Sequence, residues 1–144
     1  MNEFEEFDKL KTKVLKYVLY KKRSEAEIRQ KFSEDSGEML DEVIENLKEN
    51  GYINDEIYIE KAVSEYQRLK NMSIREIEYK LLSKGIDKNA LENYIDNHLD
   101  ELLEFEINSA KNILIKKQAT MEIEDIITYL RKKGYKSETI KEIE

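Results

Sequence analysis

A chain of 144 residues that is 40% hydrophobic and 40% charged, with no Pro and four Gly, is too polar for one large spherical core and suits helices with charged faces. The lack of Cys excludes disulfides and thiolate metal sites, and the longest aliphatic run, Ile113-Leu114-Ile115, is far short of a bilayer span. A formal charge of -7 argues against nucleic-acid binding through bulk positive potential.

The acidic start Met1-Asn2-Glu3-Phe4-Glu5-Glu6 lacks the apolar centre of a signal peptide, so a soluble cytoplasmic protein without a membrane partner is expected. Phe7, Leu10, Val14, Tyr17 and Val18 recur at helical spacing and predict the buried stripe of a first helix, with Lys9, Lys13 and Lys16 on another face. That helix should end near Lys22-Arg23, because Ser24-x-x-Glu27 forms a capping box. Ile28 and Phe32 give the second helix its inner face, and Ser36-Gly37 breaks it. A third helix turns Leu40, Val43, Ile44 and Leu47 inward and stops at Asn50-Gly51.

Asn54 or Asp55 caps the next predicted helix, whose stripe is Ile59, Ala62, Val63 and Tyr66. The capping box returns at Ser73-x-x-Glu76, with Ile77 and Leu81 four apart and Gly85 as the stop. Asp87 caps a helix carrying Leu91, Tyr94 and Ile95 inward. The pattern then runs through Asp96-Asn97-His98-Leu99-Asp100 without Gly or Pro, where a repeat requires a break that these residues do not force. Beyond it, Leu103, Ile107, Ala110 and Leu114 form a stripe. Thr120 is the expected cap of a helix bearing Ile126 and Leu130, Gly134 its stop, and Ser137 the cap of a last helix bearing Ile140 and Ile143.

These segments superpose with a period of 49 residues: Ser24 on Ser73, Ile28 on Ile77 and Ile126, Phe32 on Leu81 and Leu130, Gly85 on Gly134. The expected fold is therefore all-α, an elongated tandem array of three three-helix repeats spanning residues 1–53, 54–99 and 100–144.

Charge is distributed unevenly. Residues 9–31 carry a local +7, residues 33–60 a local -9 and residues 111–136 a local +4. Two readings stand: solvated helix faces, or basic flanks facing a large polyanionic or acidic partner. The candidate partner-binding residues are Lys21, Lys22, Arg23 and Arg29 in the first repeat, Arg68, Lys70 and Arg75 in the second, and Lys116, Lys117, Arg131, Lys132 and Lys133 in the third. In a regular stack they line one edge as a discontinuous basic track; paired with nearby Glu, they merely keep the helices soluble.

No enzyme constellation, metal site or cofactor motif is visible in the sequence, so neither catalysis nor a cofactor is expected. In Asp96-x-His98-x-Asp100, helical residues two apart do not converge, and His98 reads as a surface histidine. Tyr17 and Tyr66 read as core residues, whereas Tyr20, Tyr79 and Tyr135 stand beside basic residues and read as packing or as partner contacts.

Four segments in order resemble one family. Lys21-Lys22-Arg23-Ser24-x-x-Glu27-Ile28 is similar to a basic-x-Arg-Ser-x-x-Glu-Leu segment, and Leu47-Lys48-Glu49-Asn50-Gly51-Tyr52-Ile53-Asn54-Asp55 to a Leu-x-x-x-Gly-Tyr-Leu-Asp-Asp turn. Leu81-Leu82-Ser83-Lys84-Gly85-Ile86 and Leu130-Arg131-Lys132-Lys133-Gly134-Tyr135 resemble two further glycine turns. The family that these four segments resemble is RecX, bacterial regulators of the RecA recombinase. The chain departs from the pattern at Asn71-Met72, where the family commonly has Gly, and at Tyr58-Ile59, where Phe-Ala is usual. The resemblance implies a non-enzymatic monomer that binds along the RecA–DNA filament and lowers its ATPase and strand-exchange activity, in DNA repair, recombination and the SOS response, with at most weak direct DNA contact. The alternative drawn from the residues alone is a tandem helix-turn-helix-like nucleic-acid-binding protein.

Overall fold

The computed structural model describes residues 2–35 and 37–144; Met1 and Ser36, the latter half of the expected Ser36-Gly37 break, lie outside the described residues. Among the described residues there are nine helices and no strand: α1 Glu3–Tyr20, α2 Glu25–Lys31, α3 Gly37–Glu49, α4 Asp55–Leu69, α5 Ile74–Ser83, α6 Lys88–Asn97, α7 Leu99–Lys117, α8 Ile123–Lys132 and α9 Ser137–Ile143. None of them is long and apolar enough to cross a membrane.

Local chemistry explains most boundaries. Ser24 and Ser73 complete reciprocal capping boxes with Glu27 and Glu76, while Asn54 and Asp87 cap α4 and α6. Gly51, Gly85 and Gly134 have φ of 79°, 83° and 91°, the left-handed geometry that ends a helix. The break after α6 falls at His98, whose backbone N–H and ring Nδ1 both engage the Tyr94 carbonyl and whose ring stacks on Tyr94 at 4.0 Å. His98 is thus half-buried and committed to closing a helix.

Three expectations are corrected. Thr120 does not cap α8: its N–H bonds to the Lys117 carbonyl within the turn that ends α7, and Glu122 occupies the cap without a side-chain bond. Ser137 lies one residue inside α9, whose cap position is Lys136. On α7 the buried positions are Leu102, Glu106, Ser109 and Ala110, rather than the stripe through Leu103, Ile107 and Leu114, which is only half-buried. Polar residues within the buried stripe conceal it from any reading of hydrophobic spacing.

The apolar side chains form three separate clusters. The first gathers Val14, Ile28, Ile44 and Leu47, the second Ile59, Ile77, Leu81 and Leu91, the third Ala110, Ile126, Leu130 and Ile140. In each, the first and third helices pack together, α1 on α3, α4 on α6 and α7 on α9. Leu102, with Leu103 and Phe105, comes from α7 yet packs in the second cluster, so α7 serves two cores. Three small cores leave much surface uncovered. The accessible area is 9675 Å², against about 7,800 Å² for a compact monomer of this mass.

One contact links the clusters and recurs at the sequence period. The Ser24 hydroxyl accepts the Glu27 N–H at 3.1 Å and donates to the Lys84 carbonyl at 3.1 Å. Forty-nine residues on, the Ser73 hydroxyl accepts the Glu76 N–H at 3.0 Å and donates to the Lys133 carbonyl at 2.7 Å. Lys84 and Lys133 are the C-caps of α5 and α8, where carbonyls lack intrahelical donors. The N-terminus of α2 therefore meets the C-terminus of α5, and the N-terminus of α5 meets that of α8 in the same sense, with helix dipoles aligned. The two junctions are separated by α5, a ten-residue helix about 15 Å long.

Carboxylates complete both junctions, unequally. Asp55 accepts the Glu25 N–H at 3.2 Å, and burial raises its carboxyl above the ordinary range. Glu106, fully buried, accepts the Ile74 N–H at 2.9 Å, the Lys136 N–H at 3.2 Å and the Thr139 hydroxyl. One carboxylate thereby serves the starts of both α5 and α9. This explains why α9 needs no cap of its own.

Two outcomes follow for stability. A methyl group on Gly51 meets open space, whereas one on Gly85 collides with Ala26 across the first junction. Gly51→Ala should cost about 1 kcal/mol from its φ alone, and Gly85→Ala about 1 to 3 kcal/mol more from overpacking. A double-mutant cycle with Ala26→Gly, read from urea midpoints, should recover that second part as coupling. Glu106→Ala strands two N–H groups and one hydroxyl and should destabilise by about 3 kcal/mol, with Glu106→Gln between it and the parent in the same titration.

Candidate partner-binding surface

The twelve basic candidates fall into distinct surroundings. Lys21 and Lys22, in the extended link between α1 and α2, and Lys70, at the end of α4, line one groove of about 480 Å³ between the first two clusters. Lys61 of α4 and Lys84 join them there, around a floor of Tyr58, Ala62, Tyr66 and Leu69, with Glu65 as the single acid on the wall. Lys80 sits over the Tyr66 ring at 5.4 Å. The neighbouring Lys70 ammonium holds Lys80 below the ordinary lysine range. None of these lysines forms an ion pair among the described residues.

Arg23 is half-buried, its guanidinium stacked on Tyr17 at 4.2 Å. Arg29 is paired on both sides, bonding Glu25 at 3.2 Å and Asp41 at 2.5 Å, and Lys48 adds a further bond to Glu25. Burial raises the Glu25 carboxyl, but hydrogen bonds from Lys48 and Arg29 outweigh it and leave the group below its usual range. This acidic-and-basic knot lies with Asp55 and Asp87 in a second pocket that also includes Gly85.

The corresponding place at the next junction carries the opposite charge. There Arg75, Arg131 and Lys136 surround Gly134, with Glu78 as the one acid. The Arg75 side chain covers Gly134 closely, its Cβ and Cδ each 2.8 Å from where a methyl group on that glycine would stand. Lys117 and Lys133 share the Tyr129 ring, at 4.3 and 5.7 Å. Arg68, Lys116 and Lys132 are exposed in the last turns of α4, α7 and α8.

The structure therefore brings together Lys21, Lys22 and Lys70 at one place, Arg75 and Arg131 at another, and Lys117 and Lys133 at a third. It leaves Arg29 bound within its own unit. Sequence reasoning missed Lys61 and Lys80, which belong to ordinary charged helix faces, and Lys84, which reads only as part of a glycine turn. The available signal was the seryl repeat, which joins Ser24 to a residue 60 positions on and thereby sets Lys84 beside Lys21 and Lys22. Among the tyrosines, Tyr20 and Tyr79 are exposed, while Tyr135 is buried and its hydroxyl pushed above the ordinary range by that burial.

No protein-family model matches the chain. The regulatory protein RecX of Finegoldia magna is 31% identical over 137 residues, covering 90% of this chain and 67% of the relative. That of Clostridium beijerinckii is 29% identical over 149 residues, covering 98% and 69%, and that of Lactococcus lactis 31% identical over 104 residues, covering 70% and 38%. The chain thus spans between 38% and 69% of the length of the curated relatives it matches. The crystal structure of RecX from Lactobacillus salivarius superposes with a TM-score of 0.81 at 25% identity, over 96% of this chain and 94% of that one.

Proposed function

The chain belongs to the RecX family of regulatory proteins, and on that premise we propose that it is a non-catalytic regulator of RecA recombinase. In this reading it binds along the RecA–DNA filament in the cytoplasm, as a monomer, and lowers ATPase and strand-exchange activity. The single observation that carries the reading is the junction contact repeated at 49 residues. A partner with one repeating surface is suited to a regulator that repeats in step.

The units proposed are residues 1–53, 54–99 and 100–144, with the start of α7 shared between the second and third cores. Each unit offers a modest contact. Held at fixed spacing by the junctions, modest contacts add as effective concentration rather than as independent affinities. A regulator that fits one filament geometry better than another draws the filament toward the geometry it fits, by its differential affinity. Basic residues at the junctions, Lys21 and Lys22 at the first and Arg131 at the second, are the proposed contact points, with Lys116 and Lys132 as exposed outliers.

The purified chain should inhibit RecA's DNA-stimulated ATPase and strand exchange at low-micromolar concentration, and Arg131→Glu with Lys132→Glu should raise the inhibitory concentration about tenfold, some 1.4 kcal/mol. Unchanged ATPase and strand exchange would contradict the reading. DNA affinity without RecA that falls steeply with salt would instead favour a nucleic-acid-binding protein.

A further inference from the structure

The groove between the first two clusters carries an excess of positive charge. The chain carries 32 acids against 25 basic residues, so carboxylates are abundant. A second pocket at the same junction uses them, tying Arg29 and Lys48 into ion pairs. Yet Lys21, Lys22, Lys61, Lys70 and Lys84 converge with only Glu65 on the wall and Glu27, bonded to Tyr58, facing Lys84, and none of the five forms an ion pair among the described residues. Like charges held together destabilise a fold unless a counter-charge relieves them.

The floor decides the kind of counter-charge. Leu69, 57% exposed, and Ala62 supply an apolar strip that a bare phosphate chain does not use. Both floor tyrosines are half-buried, Tyr66 with Lys80 over its ring and Tyr58 with its hydroxyl bonded to Glu27. Single-stranded nucleic acid needs exposed stacking rings in a positive field, and half-buried rings on a chain of net charge -7 suit it less well than they suit a peptide. A volume of about 480 Å³ is that of a site for a short segment.

We propose that this groove seats an acidic peptide segment of a partner protein, with an apolar side chain laid on Leu69 and Ala62 and carboxylates against the surrounding lysines. The proposal deepens the reading of the chain as a regulator that works by protein contact, but its test needs no RecA, so the two can fail separately. Fluorescence anisotropy would follow a fluorescein-labelled peptide of glutamates interrupted by one Phe, a second peptide with every Glu replaced by Gln, and an oligothymidylate of equal net charge. The acidic peptide should bind at least tenfold more tightly than either control. Lys61→Glu with Lys84→Glu should abolish that preference while circular dichroism remains unchanged, Lys61→Gln with Lys84→Gln should weaken it, and Lys141→Glu on α9 should not alter it. Equal binding of the Gln peptide, tighter binding of the oligothymidylate, or indifference to the charge reversals would each overturn the proposal.

Discussion

A serine hydroxyl can accept one hydrogen bond and donate one, and this architecture depends on both being used across a boundary. Ser24 and Ser73 accept from their own helix and donate to the C-terminal carbonyl of a helix in the next unit. An N-cap that ordinarily stabilises one helix here also satisfies the orphan end of another. Both hydroxyls are fully buried, so neither bond competes with water. The left-handed glycines matter for the same reason. Gly85 and Gly134 close their helices, and their missing methyl groups also let Ala26 and Arg75 approach.

The two junctions share this core but differ in strength. The second adds Glu106, a buried carboxylate that ties the start of α5 to the start of α9. At the first, the position 49 residues earlier is Ile57, and Asp55 supplies one backbone bond instead. The second and third units are thereby bound through backbone, side chain and a shared helix, whereas the first is held by fewer bonds and opens onto the lysine groove.

Much of the fold was legible because its signals are local. Capping boxes, glycine stops and apolar spacing lie within single helices, and they placed α1 to α6 correctly. The break at His98 was legible only through the repeat, since no residue there forces it. What escaped was set by tertiary contact. Glu106 and Ser109 occupy buried positions that hydrophobic counting assigns to solvent, and this shifted the inner face predicted for α7. Thr120 and Ser137 look like caps, yet a turn absorbs the first and Glu106 replaces the second. Among the basic candidates, Arg29 follows the paired alternative, bonded to Asp41 and Glu25, and the convergence of Lys61 and Lys84 on Lys21 depends on how two clusters meet.

The central claim is that the seryl contacts fix the spacing of the three apolar clusters, beyond what the shared α7 and Glu106 do for the second and third. Because the chain has no cysteine, a pair introduced as Glu49→Cys on α3 and Glu142→Cys on α9 can be spin-labelled specifically. Ser24→Asp with Ser73→Asp keeps the ability to cap but removes the donor to Lys84 and Lys133. Double electron–electron resonance should give a narrow distance distribution in the parent and a broader one in the Asp variant, with helix content unchanged. A parent distribution already as broad as the variant's, or a variant distribution as narrow as the parent's, would contradict the account.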